Sequence, residues 1–158
     1  MMNQVPARAP SAVRLFAPLA QRLLRVGIPQ GPNALITIRG RKSGEPRTTG
    51  VTVVEAKGRR WVIGTFGETN WVRNLRAAGD ATLTVGRRSE QVRAVELVGE
   101  ERAEFFRNVL GPYVRRMWIA PVLLRILGAT EILDDPASAG EHRPVFELRR
   151  TSPSKAGA

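Results

Sequence analysis

The apolar and polar positions of this chain change rhythm more than once. Ser11 to Val26 follows a helical period, with Val13, Phe16, Leu19, Ala20, Leu23 and Leu24 on one stripe, and Gly27 and Pro29 end it. From Leu35 the period falls to two. Alternating runs at Leu35–Arg39, Thr48–Ala56, Arg60–Phe66, Ala81–Val85 and Gln91–Val98 predict strands, and "KGR" at 57–59 and "GRRSE" at 86–90 predict hairpin turns. "TNWVRNLRAAGD" interrupts them as a short helix, with Thr69 or Asn70 as its cap and Gly79 as its stop. The helical period returns in "GEERAEFFRNVL" and again in "VRRMWIAPVLLRILG", which Pro121 should bend. A last strand, "RPVFELRR", closes the pattern. Strands crowd the middle at short spacing, so an antiparallel sheet or barrel with flanking helices is expected rather than a βαβ array.

Length and charge sharpen that picture. A chain of 158 residues is most simply one domain, here 11–150, between a flexible start at 1–10 and a disordered polar tail at 151–158. There is no cysteine, and His142 is the only histidine, so neither a thiolate nor a His-His metal site is expected, nor a Ser-His-Asp triad. The net charge is +11, with 22 arginines against 3 lysines. Such a balance points to acidic partners: phosphates, carboxylates, nucleic acid or an anionic membrane. The first ten residues lack the apolar core of a signal peptide, and the apolar window Met117 to Gly128 is too short to span a bilayer. A cytoplasmic protein is therefore expected. The basic helix at 11–27 either lies on the inner face of an anionic membrane or packs on the core, and the sequence leaves both open.

Candidate chemistry gathers in "GRKSGEPR", between the first two strands. Gly40 and Gly44 permit positive φ and leave amides exposed. Arg41, Lys42 and Arg47 place three cations within seven residues, and Ser43, Thr48 and Thr49 add hydroxyls. Together they form a candidate cradle for a phosphate or carboxylate. The Walker spacing is absent.

"GRKSGEPRTTGVTVV", "WVIGTFG" and "NWVRNLRAAGDATLTV", in this order, resemble the deazaflavin-dependent nitroreductases, an actinobacterial family of small split β-barrels that bind coenzyme F-420. The resemblance implies an α+β, mainly β fold: a split, FMN-binding-like antiparallel barrel with an N-terminal helix and flanking helices. By the same resemblance Arg41, Lys42, Ser43 and Arg47 would take the coenzyme's phosphate and glutamate tail. Thr48, Thr49, Gly50 and Val51 would run backbone amides along the deazaflavin ring, and Thr65 and Phe66, ending the third strand, would touch it from another side. Trp71 and Asn74 would close over it, although core packing would equally explain Trp71 and capping Asn74. Tyr113, the only tyrosine, stands where relatives place tyrosines over the substrate.

The chain departs from the family pattern at three points. Gly50 replaces a proline, "GETN" at 67–70 shortens a glycine-rich loop, and "IRG" puts Arg39 beside the turn. The implied activity is hydride transfer to a quinone or enone, with nitroaromatics as side substrates, by a monomer or homodimer. Three alternatives remain: a non-catalytic deazaflavin carrier, an FMN binder on the same barrel, and a basic nucleic-acid module. Trp61, Trp71 and Trp118 are too scattered for a stacking platform, which argues against nucleic acid.

Overall fold

In the computed structural model, which describes residues 33–116 and 136–151, the alternating runs become the strands of a barrel. They are β1 (Asn33–Arg39), β2 (Pro46–Ala56), β3 (Arg59–Ile63), β4 (Asp80–Val85), β5 (Arg88–Leu97) and β6 (Val145–Arg150). Every pairing is antiparallel, in the order β1-β2-β3-β6-β5-β4, and β4 returns to β1 to close the barrel. The split-barrel expectation holds. The helices among the described residues are α1 (Asn70–Ala78), α2 (Gly99–Glu104), a π-helical turn at Phe105–Leu110, α3 (Gly111–Arg116) and α4 (Pro136–His142).

Two apolar clusters account for this arrangement. Inward residues of the strands (Ala34, Ile36, Ile38, Val51, Val53, Val62, Leu83, Val92, Phe146, Leu148) fill the barrel, joined by Val72 and Leu75 of α1. The outer face of β2, β3, β5 and β6 supplies Val54, Trp61, Leu97 and Val145 to a second cluster with Phe105, Phe106, Leu110 and Val114. Val53 and Val54 are both buried, as are Val145 to Leu148, because the helical segment covers that face. A sheet covered on both sides has no solvent face and loses its alternation there.

β2 has a second peculiarity. Residues 46–52 pair with β1, whereas Val53 to Ala56 pair with β3. Among the described residues no strand pairs with Pro46–Val51 on the side away from β1. Among the described residues, alternate amides and carbonyls of that half-strand therefore have no ladder partner.

Several boundaries differ from expectation. β3 ends at Ile63 rather than Phe66, because Gly64 is squeezed between α1 and the chain before β6. A Cβ at Gly64 would sit 2.9 Å from Val72 and 3.2 Å from Pro144. The backbone turns there, the Gly67 amide donating to the Gly64 carbonyl at 2.8 Å, so Thr65 and Phe66 lie in a turn. β5 starts at Arg88, which shrinks the turn expected at 86–90. The β2–β3 turn is two residues, Lys57 (φ 51°) and Gly58 (φ 72°), the sense that matches strand twist.

The helices after Val98 run on without the expected break. Gly111 donates five residues back to Phe106, and Pro112 follows without needing an amide hydrogen. α4 was not expected, since "PASAGEH" has no apolar stripe. Its small residues matter instead: a Cβ on Gly140 would lie 3.1 Å from the Phe106 ring. The Ser11–Val26 helix, the Pro121 bend and the tail beyond Thr151 fall outside the described residues.

Candidate functional site

The charged turn folds around its glycines. The Gly40 amide donates to the Glu45 carbonyl and the Gly44 amide to the Gly40 carbonyl, each at 2.8 Å. Gly44 has φ 73°, which favours glycine. Gly40 has no room for a side chain: a Cβ would meet Ser43 Oγ at 2.9 Å and the Glu45 carbonyl at 3.2 Å. Ser43 Oγ accepts the Glu45 amide at 3.3 Å, so part of its capacity is spent within the turn.

α1 meets this turn through arginine. Arg41 donates to Asn74 Oδ1 from its backbone amide at 3.3 Å and from Nη1 at 2.8 Å. It also reaches the Asn70 carbonyl at 3.5 Å and Asn70 Oδ1 at 3.4 Å. The helix is placed for this contact by Val72 and Leu75, which are fully buried, and by Gly79, whose left-handed φ of 74° stops it. Thr69 occupies the cap position but makes no side-chain cap, and its buried hydroxyl has no partner among the described residues.

Turn and helix together wall a cavity of about 590 Å³. Arg41, Lys42, Ser43, Arg47, Thr48, Thr49, Trp71 and Asn74 all line it, alongside Ile38, Gly40, Thr69 and Asn70. Eight of the twelve predicted binding residues thus share one cavity. Lys42 has no ion pair among the described residues. Arg47 lies 3.5 Å from Glu45, with both side chains mostly exposed, an arrangement that costs little to break. Thr48 Oγ1 shares a hydrogen bond with Thr37 Oγ1 at 2.8 Å. Trp71 is half-buried, its ring 6.5 Å from that of Phe146, so it both packs and lines.

The remaining predicted residues lie elsewhere. Gly50 is exposed, and the Val51 side chain is buried in the barrel, so only backbone is on offer there. Thr65 and Phe66 line neither cavity described here; the Thr65 carbonyl accepts from Nε of the fully buried Arg143 at 3.2 Å. Tyr113 sits within α3, on a second cleft of about 810 Å³ between the helical segment and the outer face of β2, β3, β5 and β6. This cleft shares no residue with the first.

One wall of the second cleft pairs its charges over an aromatic floor. Arg59 grips Glu147 with Nε at 2.9 Å and Nη2 at 2.8 Å, and Arg149 adds a contact at 3.0 Å. The Arg59 guanidinium also covers the Trp61 ring at 5.2 Å, and Trp61 tilts against Phe105 at 5.3 Å. These arginines, Arg59 first, pull the buried Glu147 carboxyl down to about 2. Burial, with the nearby Glu55 charge, raises the Tyr113 hydroxyl above its ordinary value, so at neutral pH it holds its proton. Sequence reasoning missed Asn70 as a site residue, together with Arg143 and Glu147. Nothing local marks them, since their partners are 29, 78 and 88 positions away.

The split barrel is shared with solved structures of distant sequence. A solved domain-swapped dimer superposes with a TM-score of 0.52 at 21% identity, over 88% of this chain and 100% of that one. The heme storage protein HutZ of Vibrio cholerae superposes with a TM-score of 0.52 at 12% identity, over 85% of this chain and 89% of its own. An F420-H2 dependent reductase, FDR-A, gives 0.46 at 23% identity, over 75% and 94%. The first two show the fold. The family model described as F420-H(2)-dependent quinone reductase matches residues 20–119, and the chain belongs to that family. It is therefore an oxidoreductase whose cofactor is coenzyme F-420. A search of curated proteins gives no match.

Proposed function

We propose that the protein reduces quinones, and enones of similar electronic character, using coenzyme F-420 held in the cavity between the charged turn and α1. The reading is carried by the Arg41–Asn74 contact, which ties the two motifs into one wall. The donor set fits the group. Lys42 and Arg47 offer exposed cations to a phosphate and a glutamate tail, and Ser43 and Thr48 offer hydroxyls. The half-strand Pro46–Val51 offers backbone groups that no described strand pairs, and Trp71 offers an aromatic face.

When bound, the reduced deazaflavin supplies a hydride. The chain's own residues then bind, orient and exclude water, and no nucleophile is required. Tyr113 lines the other cleft, so its hydroxyl would meet an acceptor carbonyl only where the quinone extends from the cradle to that face. Nitroaromatics would enter as side substrates.

Titrating the purified chain with coenzyme F-420 and with FMN, by fluorescence, tests the assignment, followed by turnover of a water-soluble quinone. Tight FMN binding without any response to the deazaflavin would sink it.

A further inference from the structure

We propose that Asn74 is a positioning residue that fixes Arg41 at the cradle without neutralising it, so that the site favours highly charged anions. The inference rests on the reading of this cavity as the coenzyme's anion site. Elsewhere among the described residues several arginines are held by carboxylates, although the buried Arg143 donates to the Thr65 carbonyl. Arg59 is held by Glu147, Arg60 and Arg150 by Glu90, Arg76 by Glu68 and Glu96, and Arg107 by Glu100. Of the cradle's cations Arg41, Lys42 and Arg47, Arg41 is the one held by α1, and what holds it is neutral: two asparagine oxygens and one backbone carbonyl.

The chemistry of that choice is simple. Asn74 is 7% exposed, so its oxygen is shielded from water and its hydrogen bonds to Arg41 are strengthened. A guanidinium carries five N–H donors, and these contacts occupy only part of them. The remaining donors and the whole positive charge stay available to the cavity, beside Lys42 and Arg47. A carboxylate at position 74 would hold the arginine at least as firmly, through charge-assisted bonds, and would cancel its field. Asparagine supplies the geometry and leaves the charge.

Asn74→Asp separates those two functions. Its melting temperature without ligand should match or exceed that of the unaltered chain. Its affinity for coenzyme F-420 at low salt should fall on the order of tenfold, the effect of cancelling one nearby cation. Added salt should shrink the gap, because the lost term is coulombic. Binding of the deazaflavin riboside, which lacks the phosphate and glutamate tail, should fall far less and without the salt dependence. Arg41→Gln should reproduce the loss and its salt dependence, since it removes the same charge. A role confined to stability would make affinity follow melting temperature across these variants. Undiminished coenzyme binding by Asn74→Asp, or an equal loss with the riboside, overturns the proposal. An unaltered chain that ignores coenzyme F-420 overturns the cradle reading, and this proposal with it.

Discussion

The two cavities of this barrel treat the same residue type in opposite ways. In the cradle, Lys42 has no ion pair among the described residues, Arg41 is held by amides, and Arg47 touches one exposed glutamate. In the second cleft Arg59 and Arg149 converge on Glu147, which is buried. Uncompensated cations next to a cavity are an unmet demand for an anion. Compensated ones are structure, and their charge is already spent. β2 runs between the two, so roughly 25 Å of strand separates Arg47 from Glu55. A net charge of +11 says nothing about this division, and the pairing does.

The largest effect should come from the uncompensated side. Lys42→Ala or Arg47→Ala should each weaken coenzyme F-420 binding by about 1.5–3 kcal/mol, the range for a hydrogen bond to a charged group. Melting temperature should hardly move. Titration and thermal unfolding of the same samples check both halves, and normal binding by either variant would place the anion site elsewhere.

Glu147→Gln should do the reverse, removing roughly 2 kcal/mol of stability while leaving coenzyme affinity intact. Acid should mimic it. A carboxyl whose folded value is depressed to about 2 contributes stability that is fully present above its ordinary value near 4.5. That stability is lost as pH falls from there towards 2. Denaturant unfolding across this window should show the loss in the parent chain and a flatter profile in Glu147→Gln.

Tyr113→Phe asks whether the two cavities serve one reaction. A hydroxyl that only orients an acceptor carbonyl is worth ~1 kcal/mol, so quinone turnover should fall severalfold. A loss nearer 10²–10⁴-fold, on the order expected for general acid catalysis, would make it the proton donor. No change with any quinone or enone would leave the second cleft outside the chemistry.

The smallest effect concerns residues 1–28. Deleting them should weaken a salt-sensitive attachment to anionic vesicles, at ~1 kcal/mol per basic residue near the surface. Coenzyme affinity should persist. Unchanged vesicle flotation would assign the apolar stripe of that segment to core packing. No helix among the described residues is long and apolar enough to cross a membrane.

Local features were legible in the sequence and distant ones were not. The cradle's cations, hydroxyls and glycines sit within one turn, so spacing alone grouped them. The period of two gave the strands, and Gly79 stopped α1 where its left-handed φ requires. Three things escaped. β3 was drawn through Thr65 and Phe66 because both suit a strand, whereas the close approach of Gly64 to Val72 and Pro144 belongs to tertiary packing. α4 has no apolar period and exists by fitting small residues against Phe106. The family resemblance puts Tyr113 over the substrate, yet it lines the other cleft, because the π-helical turn and α3 carry it over the outer face of the sheet.

The half-strand Pro46–Val51, paired on one side only among the described residues, also bears on solubility. A run of unpaired backbone groups is a template on which another chain can add a strand, the first step towards aggregation. Here that run begins with a proline, which cannot donate to a ladder, and continues with Arg47, whose charge repels a second copy of itself. Gly50 weakens the run further as a strand. The residues proposed to meet the coenzyme would thus also serve as gatekeepers, and replacing Arg47 with valine would remove the proposed ligand contact and unblock the edge at once.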